Sequence, residues 1–123
     1  MNRRTNPRRA VNQADALARI RRMCLALPET HEQEAWLAPT FRVRGKMFVM
    51  FRDNHHKDGR FALWCNAPAG VQQIQVAAEP EHFFIPPYVG SRGWLGIRLD
   101  TGLGWDIVAA FVKDAYDVTC PRR

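Results

Sequence analysis

The sequence is poor in the residues from which covalent and metal-bound scaffolds are built, with only three cysteines and a single serine, Ser91. The cysteines, Cys24, Cys65 and Cys120, form no Cys-x-x-Cys pair, and their number is odd. Zinc knuckles and disulfide frameworks need more cysteines at closer spacing. We therefore expect three reduced thiols and no structural metal, a pattern that suits the cytoplasm.

Long apolar runs are also missing. The longest strongly apolar stretch, Met47–Phe51, is far shorter than the roughly 18–20 residues that a membrane span requires. The chain begins with a basic segment, but no apolar segment follows it, so we expect no secretory signal. A membrane is therefore not among the expected partners.

Nucleotide-binding and catalytic motifs are not found. No Gly-Lys-Ser/Thr triplet is present and no Gly-x-Gly-x-x-Gly follows a strand-like segment. Ser91 has no evident histidine and acid partners of the kind that activate a nucleophile. His55 and His56 lie between Asp53 and Asp58, but adjacent histidines of an extended chain point in opposite directions. We expect a protein that is not an enzyme, with no catalytic residues, no cofactor and no metal.

Positive charge is in excess, with 18 basic against 12 acidic side chains and a formal net charge of +6. Arginines at positions 3, 4, 8, 9, 122 and 123 account for this excess, and the chain between them is formally neutral. Basic stretches attract nucleic acid, although a run of charge also serves simply to keep a strand face solvated. Inside the neutral part, residues 40–60 contain only two acidic side chains but six basic ones. The basic residues are Arg42, Arg44, Lys46, Arg52, Lys57 and Arg60.

The sequence indicates one domain preceded by a basic arm. Residues 1–11 are rich in Arg, Asn and Pro and are expected to be disordered, and residues 12–123 are expected to form a single domain. A first helix is expected to begin after Asn12, because an apolar stripe follows at helical spacing, and Pro28 ends it. Residues 29–39 are expected to form a loop.

The remainder of the domain combines strands with two more helices. Apolar and basic residues alternate at 40–44 and a continuous apolar run follows at 47–51, which predicts a hairpin with its turn at Gly45. A third strand, a helix opened by Pro68, two further strands and a final helix are expected next. Short connections between strands favour an α+β fold, a two-layer sandwich in which an antiparallel sheet of about five strands carries helices on one face.

Four segments are notable for their order and spacing, namely Cys24–Glu29, Pro39–Phe48, Pro87–Asp100 and Ala115–Asp117. Together they resemble the MmcQ/YjbR family of small bacterial proteins, and the resemblance covers most of residues 17–123. It implies a YjbR/CyaY-like fold, which is the fold of frataxin-type proteins.

The resemblance also implies DNA binding through two β-hairpins arranged as a pair of wings. One wing would carry Arg42, Arg44 and Lys46, and Arg92 would lie on the other. Arg60 belongs to the same basic stretch and completes the expected nucleic-acid-binding set. Because no amphipathic basic helix is present for reading the major groove, we expect weak, largely sequence-independent phosphate contacts from these residues and the arginine tails.

A second interpretation rests on the aromatic residues Tyr88 and Trp94, which flank Arg92. Aromatic side chains on an open sheet stack on nucleic-acid bases, but they also line grooves for other ligands. The alternative function is therefore an interaction module for a small molecule or a protein, which uses the Tyr88–Trp94 region. The sequence does not indicate an oligomeric state.

Overall fold

The computed structural model describes residues 13–53 and 61–120. Within these residues the chain forms three α-helices, six β-strands and one short 3₁₀ helix. The helices are α1 (Gln13–Leu25), α2 (Val71–Ala78) and α3 (Trp105–Thr119), and the 3₁₀ helix spans Val89–Arg92. The strands are β1 (Thr30–Ala35), β2 (Ala38–Val43), β3 (Lys46–Asp53), β4 (Phe61–Cys65), β5 (Phe83–Phe84) and β6 (Leu95–Arg98).

The strands form one antiparallel sheet in the order β1-β2-β3-β4-β6-β5. This confirms the α+β class and the antiparallel sheet, with six strands in place of about five. The additional strand is β1, so the loop predicted for residues 29–39 is wrong over most of its length. Only β2 pairs with β1, and an edge strand of this kind tolerates the polar sequence Thr-His-Glu-Gln-Glu-Ala, which lacks apolar alternation.

The first two hairpins close with two-residue turns in which both residues have positive φ. This is the type I′ geometry, which matches the twist of a hairpin and normally selects Asn and Gly. The β2–β3 turn agrees in part, with Arg44 at φ 51° and Gly45 at φ 83°. The β1–β2 turn does not, because Trp36 and Leu37 occupy it at φ 54° and 63°. Left-handed backbone costs a residue with a Cβ atom about 1–2 kcal/mol, so the paired strands hold this turn in a strained state.

The helices α1 and α3 pack on one face of the sheet and enclose the main core against it. The apolar stripe predicted for the first helix is buried there at Ile20 and Cys24, and the final helix buries Val108, Val112 and Ala115 at helical spacing. The fully buried helix residues of this core are Ala16, Ile20 and Cys24 of α1 and Val108, Val112 and Ala115 of α3.

The helix α2 begins at Val71, later than the opening predicted near Pro68. Asn66, which precedes Pro68, lies before this helix and has a different role. Its side-chain oxygen accepts a hydrogen bond from the Ala67 N–H at 2.9 Å, and its amide donates to the Thr119 hydroxyl at 2.8 Å. The residue therefore joins the end of β4 to the end of α3. None of the helices in the described residues is long and apolar enough to span a bilayer.

The other face of the sheet, which carries Met47, Met50 and Trp64, is called the open face here. It bears a smaller apolar cluster, and residues 85–94, called the cover segment, lie over part of it. The buried side chain of Gln72 in α2 holds this segment, because its amide donates to the backbone oxygens of Gly90 at 2.8 Å and Trp94 at 2.6 Å. The part of the open face that the cover segment does not reach is accessible beside it.

Candidate binding groove on the open face

A groove of about 1190 Å³ is lined by the open face, the β1–β2 turn and the cover segment, and it extends to the start of α1, whose Leu17 also packs against the main core. Its volume is above the range of about 300–1,000 Å³ that is usual for small-molecule pockets, so an extended ligand has room in it. Most of its lining is apolar or aromatic. The lining residues are Ala14, Leu17, Trp36, Leu37, Ala38, Pro39, Met47, Met50, Phe51, Arg52, Asp53, Trp64, Tyr88, Val89 and Arg92.

The groove has exposed apolar side chains on strained backbone. Trp36 is 66% exposed, Leu37 is 94% exposed and Tyr88 is 69% exposed. All three have positive φ, and in the described residues only two other non-glycine residues share this conformation, Glu29 and Arg44. Strain of this kind persists where the surrounding structure imposes it, and it concentrates at ligand-binding sites. Exposed large apolar side chains also mark such sites when they are contiguous.

Two arginines and one acid line the groove, Arg52, Arg92 and Asp53, which leaves one positive charge in excess. The guanidinium carbon of Arg52 lies 5.3 Å from the centroid of the Trp64 ring, a cation–π distance. The same guanidinium donates to the backbone oxygen of Trp36 at 3.2 Å. Arg52 therefore connects the floor of the groove to the β1–β2 turn and is held in place from both sides.

The predicted basic hairpin does not present its three cations on one face. Arg42 lies on the open face, since its register partner Met47 lines the groove. Arg44 lies in the turn and forms an exposed ion pair with Glu29, with 2.8 Å between Nε and Oε1, which lowers the pKa of that carboxyl. Lys46 precedes Met47 in β3 and so belongs to the face that the helices cover. Of the three, Arg42 alone lies on the open face, beside the groove and not in its lining.

The other predicted site residues have different positions. Arg92 and Tyr88 are exposed and line the groove. Trp94 is 3% exposed and packs in the apolar cluster of the open face, so its ring is not accessible for stacking on a ligand. Arg60 lies outside the described residues, as do the basic arm at residues 1–11 and the C-terminal arginines.

Three residues of the groove, Trp36, Leu37 and Arg52, are absent from the site predicted from the sequence. One signal in the sequence points to the first two. A dipeptide of two bulky apolar residues stands between the polar segment 30–34 and Pro39, where a turn normally has polar residues or glycine. Arg52 offers no comparable signal, because its role depends on the contact with Trp64 across the sheet.

All three cysteines are free thiols, and two are deeply buried. Burial raises the pKa of Cys24 far above its ordinary value and raises the pKa of Cys65 to about 12. Both thiols therefore remain protonated at neutral pH. A cysteine that acts as a nucleophile or metal ligand must instead be a thiolate. In the part of the chain that the structure describes, no group of three His, Cys, Asp or Glu side chains is arranged to hold a metal ion.

We expect one thiol to react much faster than the other two. A disulfide reagent should modify Cys120 first, because its side chain is partly exposed. Cys24 and Cys65 should react only as the protein unfolds, because they are buried and protonated. Thiol counting with and without denaturant measures this, and Cys120→Ala is the control that should remove the fast phase. Rapid reaction of all three thiols in the native protein would contradict the packing described above.

The fold and the groove together define a small two-layer α+β protein whose sheet is covered by helices on one face and borders a groove on the other. The family model described as YjbR matches residues 25–118, which is most of the chain, and the protein belongs to the YjbR family. The resemblance predicted from the sequence is thereby confirmed.

Among solved structures, the chain is similar to the crystal structure of Deinococcus radiodurans protein DR2400, which contains the family-model domain DUF419. The two share 13% sequence identity with a TM-score of 0.72, over 99% of this chain and 84% of that chain. At this level of identity the likeness concerns the fold alone. No curated protein matches the chain significantly.

Proposed function

We propose that this YjbR-family protein binds DNA, without enzymatic activity, through weak and largely sequence-independent phosphate contacts. The observation that carries the proposal is that Arg42, Arg52 and Arg92 come from three separate segments, β2, β3 and the cover segment, to the same face of the sheet. Guanidinium groups are well suited to phosphate recognition, because their planar fork can donate two parallel hydrogen bonds.

Some of the cations on the opposite side of the molecule are held in ion pairs. There, Arg21 of α1 pairs with Glu32 at 2.8 Å and Lys113 of α3 pairs with Asp117 at 3.0 Å. Within residues 13–53 and 61–120, neither Arg42 nor Arg92 forms an ion pair. Arg42 and Arg92 therefore contribute positive charge to the open face that no ion pair among the described residues offsets, which favours the approach of a polyanion.

The contacts are expected to be weak because they are few. Helices α1 and α3 cover the far face of the sheet, so neither offers a basic helix from the open face for the major groove of a duplex. If about five phosphates are contacted, the logarithm of the affinity should fall with the logarithm of the salt concentration with a slope of about −4 to −5. Phosphate contacts position a protein on DNA and carry no direct sequence information.

Fluorescence anisotropy with a labelled oligonucleotide tests this proposal. We expect Arg92→Glu to lower the affinity at low salt by about 10-fold, because it removes a phosphate contact and adds a repulsive charge. Lys113→Glu is the matched control, since it makes the same change in net charge on the helix that lies behind the sheet. Equal losses of affinity in the two variants would show that the net charge of the protein, and not a contact at Arg92, determines binding. A salt slope near zero, or no binding at low salt, would overturn the proposal.

The apolar lining of the groove favours a second candidate, an interaction module for a small molecule or a protein. In that case Arg92→Glu should matter little, and Tyr88→Ala should abolish binding because Tyr88 lines the groove. Thermal-shift measurements with oligonucleotides and small metabolites in parallel distinguish the two candidates, because only a ligand that binds the folded state raises the melting temperature.

A further inference from the structure

We infer that the DNA which this groove accepts is single-stranded, and that Trp36 and Tyr88 stack on its bases. The inference rests on the proposed function and specifies the class of ligand that the groove takes. Two exposed aromatic rings and the cations described above line, or directly adjoin, one groove. Proteins that bind single strands combine these two features, because phosphates follow the cations and the freed bases stack on the rings.

The backbone at these rings indicates that their exposure serves a purpose. Trp36 and Leu37 occupy a turn that Asn and Gly would adopt without strain, and Tyr88 also has a positive φ, of 66°. Replacing an exposed apolar side chain by a polar one has no desolvation cost. These positions thus combine backbone strain with apolar exposure, and both costs would be removed by ordinary turn residues. A ligand that covers the rings provides the compensating interaction.

The floor of the groove is suited to bases rather than to the outside of a duplex. Met47, Met50 and Val89 line it, and all three are apolar. A duplex keeps its bases paired and stacked and presents mainly phosphates and groove edges, which an apolar floor cannot bind well. In a single strand the bases turn away from the phosphates, so the bases can enter the apolar floor while Arg42 and Arg92 contact the backbone.

Anisotropy titrations with the full-length protein test the inference, with an oligothymidine of about 15 nucleotides and a duplex of equal length as probes. We expect the single strand to bind at least about 10-fold more tightly than the duplex at the same salt concentration. Trp36→Ala and Tyr88→Ala should each lower the single-strand affinity by about 10-fold and leave the duplex affinity nearly unchanged. Trp36→Phe should retain most of the single-strand affinity, because it keeps a ring for stacking.

Two further measurements separate stacking from a loss of structure. Ile74→Ala removes an exposed apolar side chain from α2, outside the groove lining, and should bind like the wild type. Tryptophan fluorescence should be quenched when the oligothymidine binds, and Trp36→Phe should lose much of this quenching. Circular dichroism of each variant confirms that it is folded.

The possible outcomes distinguish the inference from the proposed function. If duplex and single strand bind equally and Arg92→Glu weakens both, DNA binding stands and the single-strand inference is overturned. If neither DNA binds at low salt, both fail, and the groove is a site for an apolar small molecule or protein. Preference for the single strand with no effect of Trp36→Ala or Tyr88→Ala would overturn the stacking.

Discussion

Replacing the β1–β2 turn by Trp36→Asn together with Leu37→Gly is expected to stabilise the protein and to impair its function. Asn and Gly are the preferred residues of a type I′ turn, and the present residues have φ of 54° and 63°. Relief of left-handed strain at two positions should raise the free energy of unfolding by about 1–2 kcal/mol, after the loss of the partial packing of Trp36. The hydrogen bond from Arg52 is made to the Trp36 backbone oxygen, so the exchange leaves its acceptor in place.

The same double variant should bind single-stranded DNA about 10-fold less tightly, because it removes one of the two exposed rings. Urea unfolding and anisotropy titration measure the two effects separately. Arg44→Asn is the matched control, because together with Gly45 it creates the same favoured Asn-Gly dipeptide in the neighbouring turn, away from the groove. It should add some stability at the cost of an exposed ion pair, which contributes little. A double variant that is less stable, or that binds DNA like the wild type, would contradict the functional explanation of the strain.

Opposite changes in stability and binding are expected wherever a site is retained for its function at the expense of the fold. The turn shows why pattern reading misses such a site. Turn residues are recognised because Asn, Asp and Gly adopt positive φ at low cost, and a Trp-Leu dipeptide is the opposite signal. Residues 29–39 therefore indicate a loop, and the strand β1 is missed with the turn that follows it.

Most of the architecture is predictable from the sequence because it depends on local patterns. The hairpin turn at Gly45, the covered strand Met47–Phe51 and the final helix follow from apolar periodicity and turn residues, and all three are present in the structure. The positions of the cations are less predictable. Arg42 and Arg44 alternate with apolar residues in the sequence, but the second lies in the turn, where strand alternation no longer applies.

The site itself is only partly predictable because it is assembled from distant segments. Tyr88 and Arg92, which the sequence suggests as contact residues, are exposed and line the groove, but Arg92 lies in a 3₁₀ helix and not in a second β-hairpin. Trp94 has the same context, but the packing of Val89 and Phe84 in the same cluster buries it. Burial of one aromatic ring and exposure of another six residues away depends on the path of the cover segment, which the tertiary structure determines.

That path depends on Gln72, and we expect Gln72→Leu to destabilise the protein by about 1–3 kcal/mol. The side-chain amide donates to the backbone oxygens of Gly90 and Trp94 in a buried setting. The Gly90 oxygen also accepts from the Gly93 N–H at 3.0 Å, so the greater loss is expected at Trp94. A leucine fills a similar volume but leaves a buried acceptor without its donor, a cost that hydrophobic burial offsets only in part.

Gln72→Leu should also weaken DNA binding several-fold, although Gln72 does not line the groove. The reason is that the amide holds the segment that carries Tyr88 and Arg92, so its loss allows both side chains to move from their positions in the groove. Gln73→Leu is the matched control, because the neighbouring glutamine is exposed and the substitution should change neither the urea midpoint nor the affinity. If the two leucine variants behave alike, the prediction is wrong. The cover segment, including the left-handed backbone at Tyr88, is then held by its apolar contacts and not by the hydrogen bonds of Gln72.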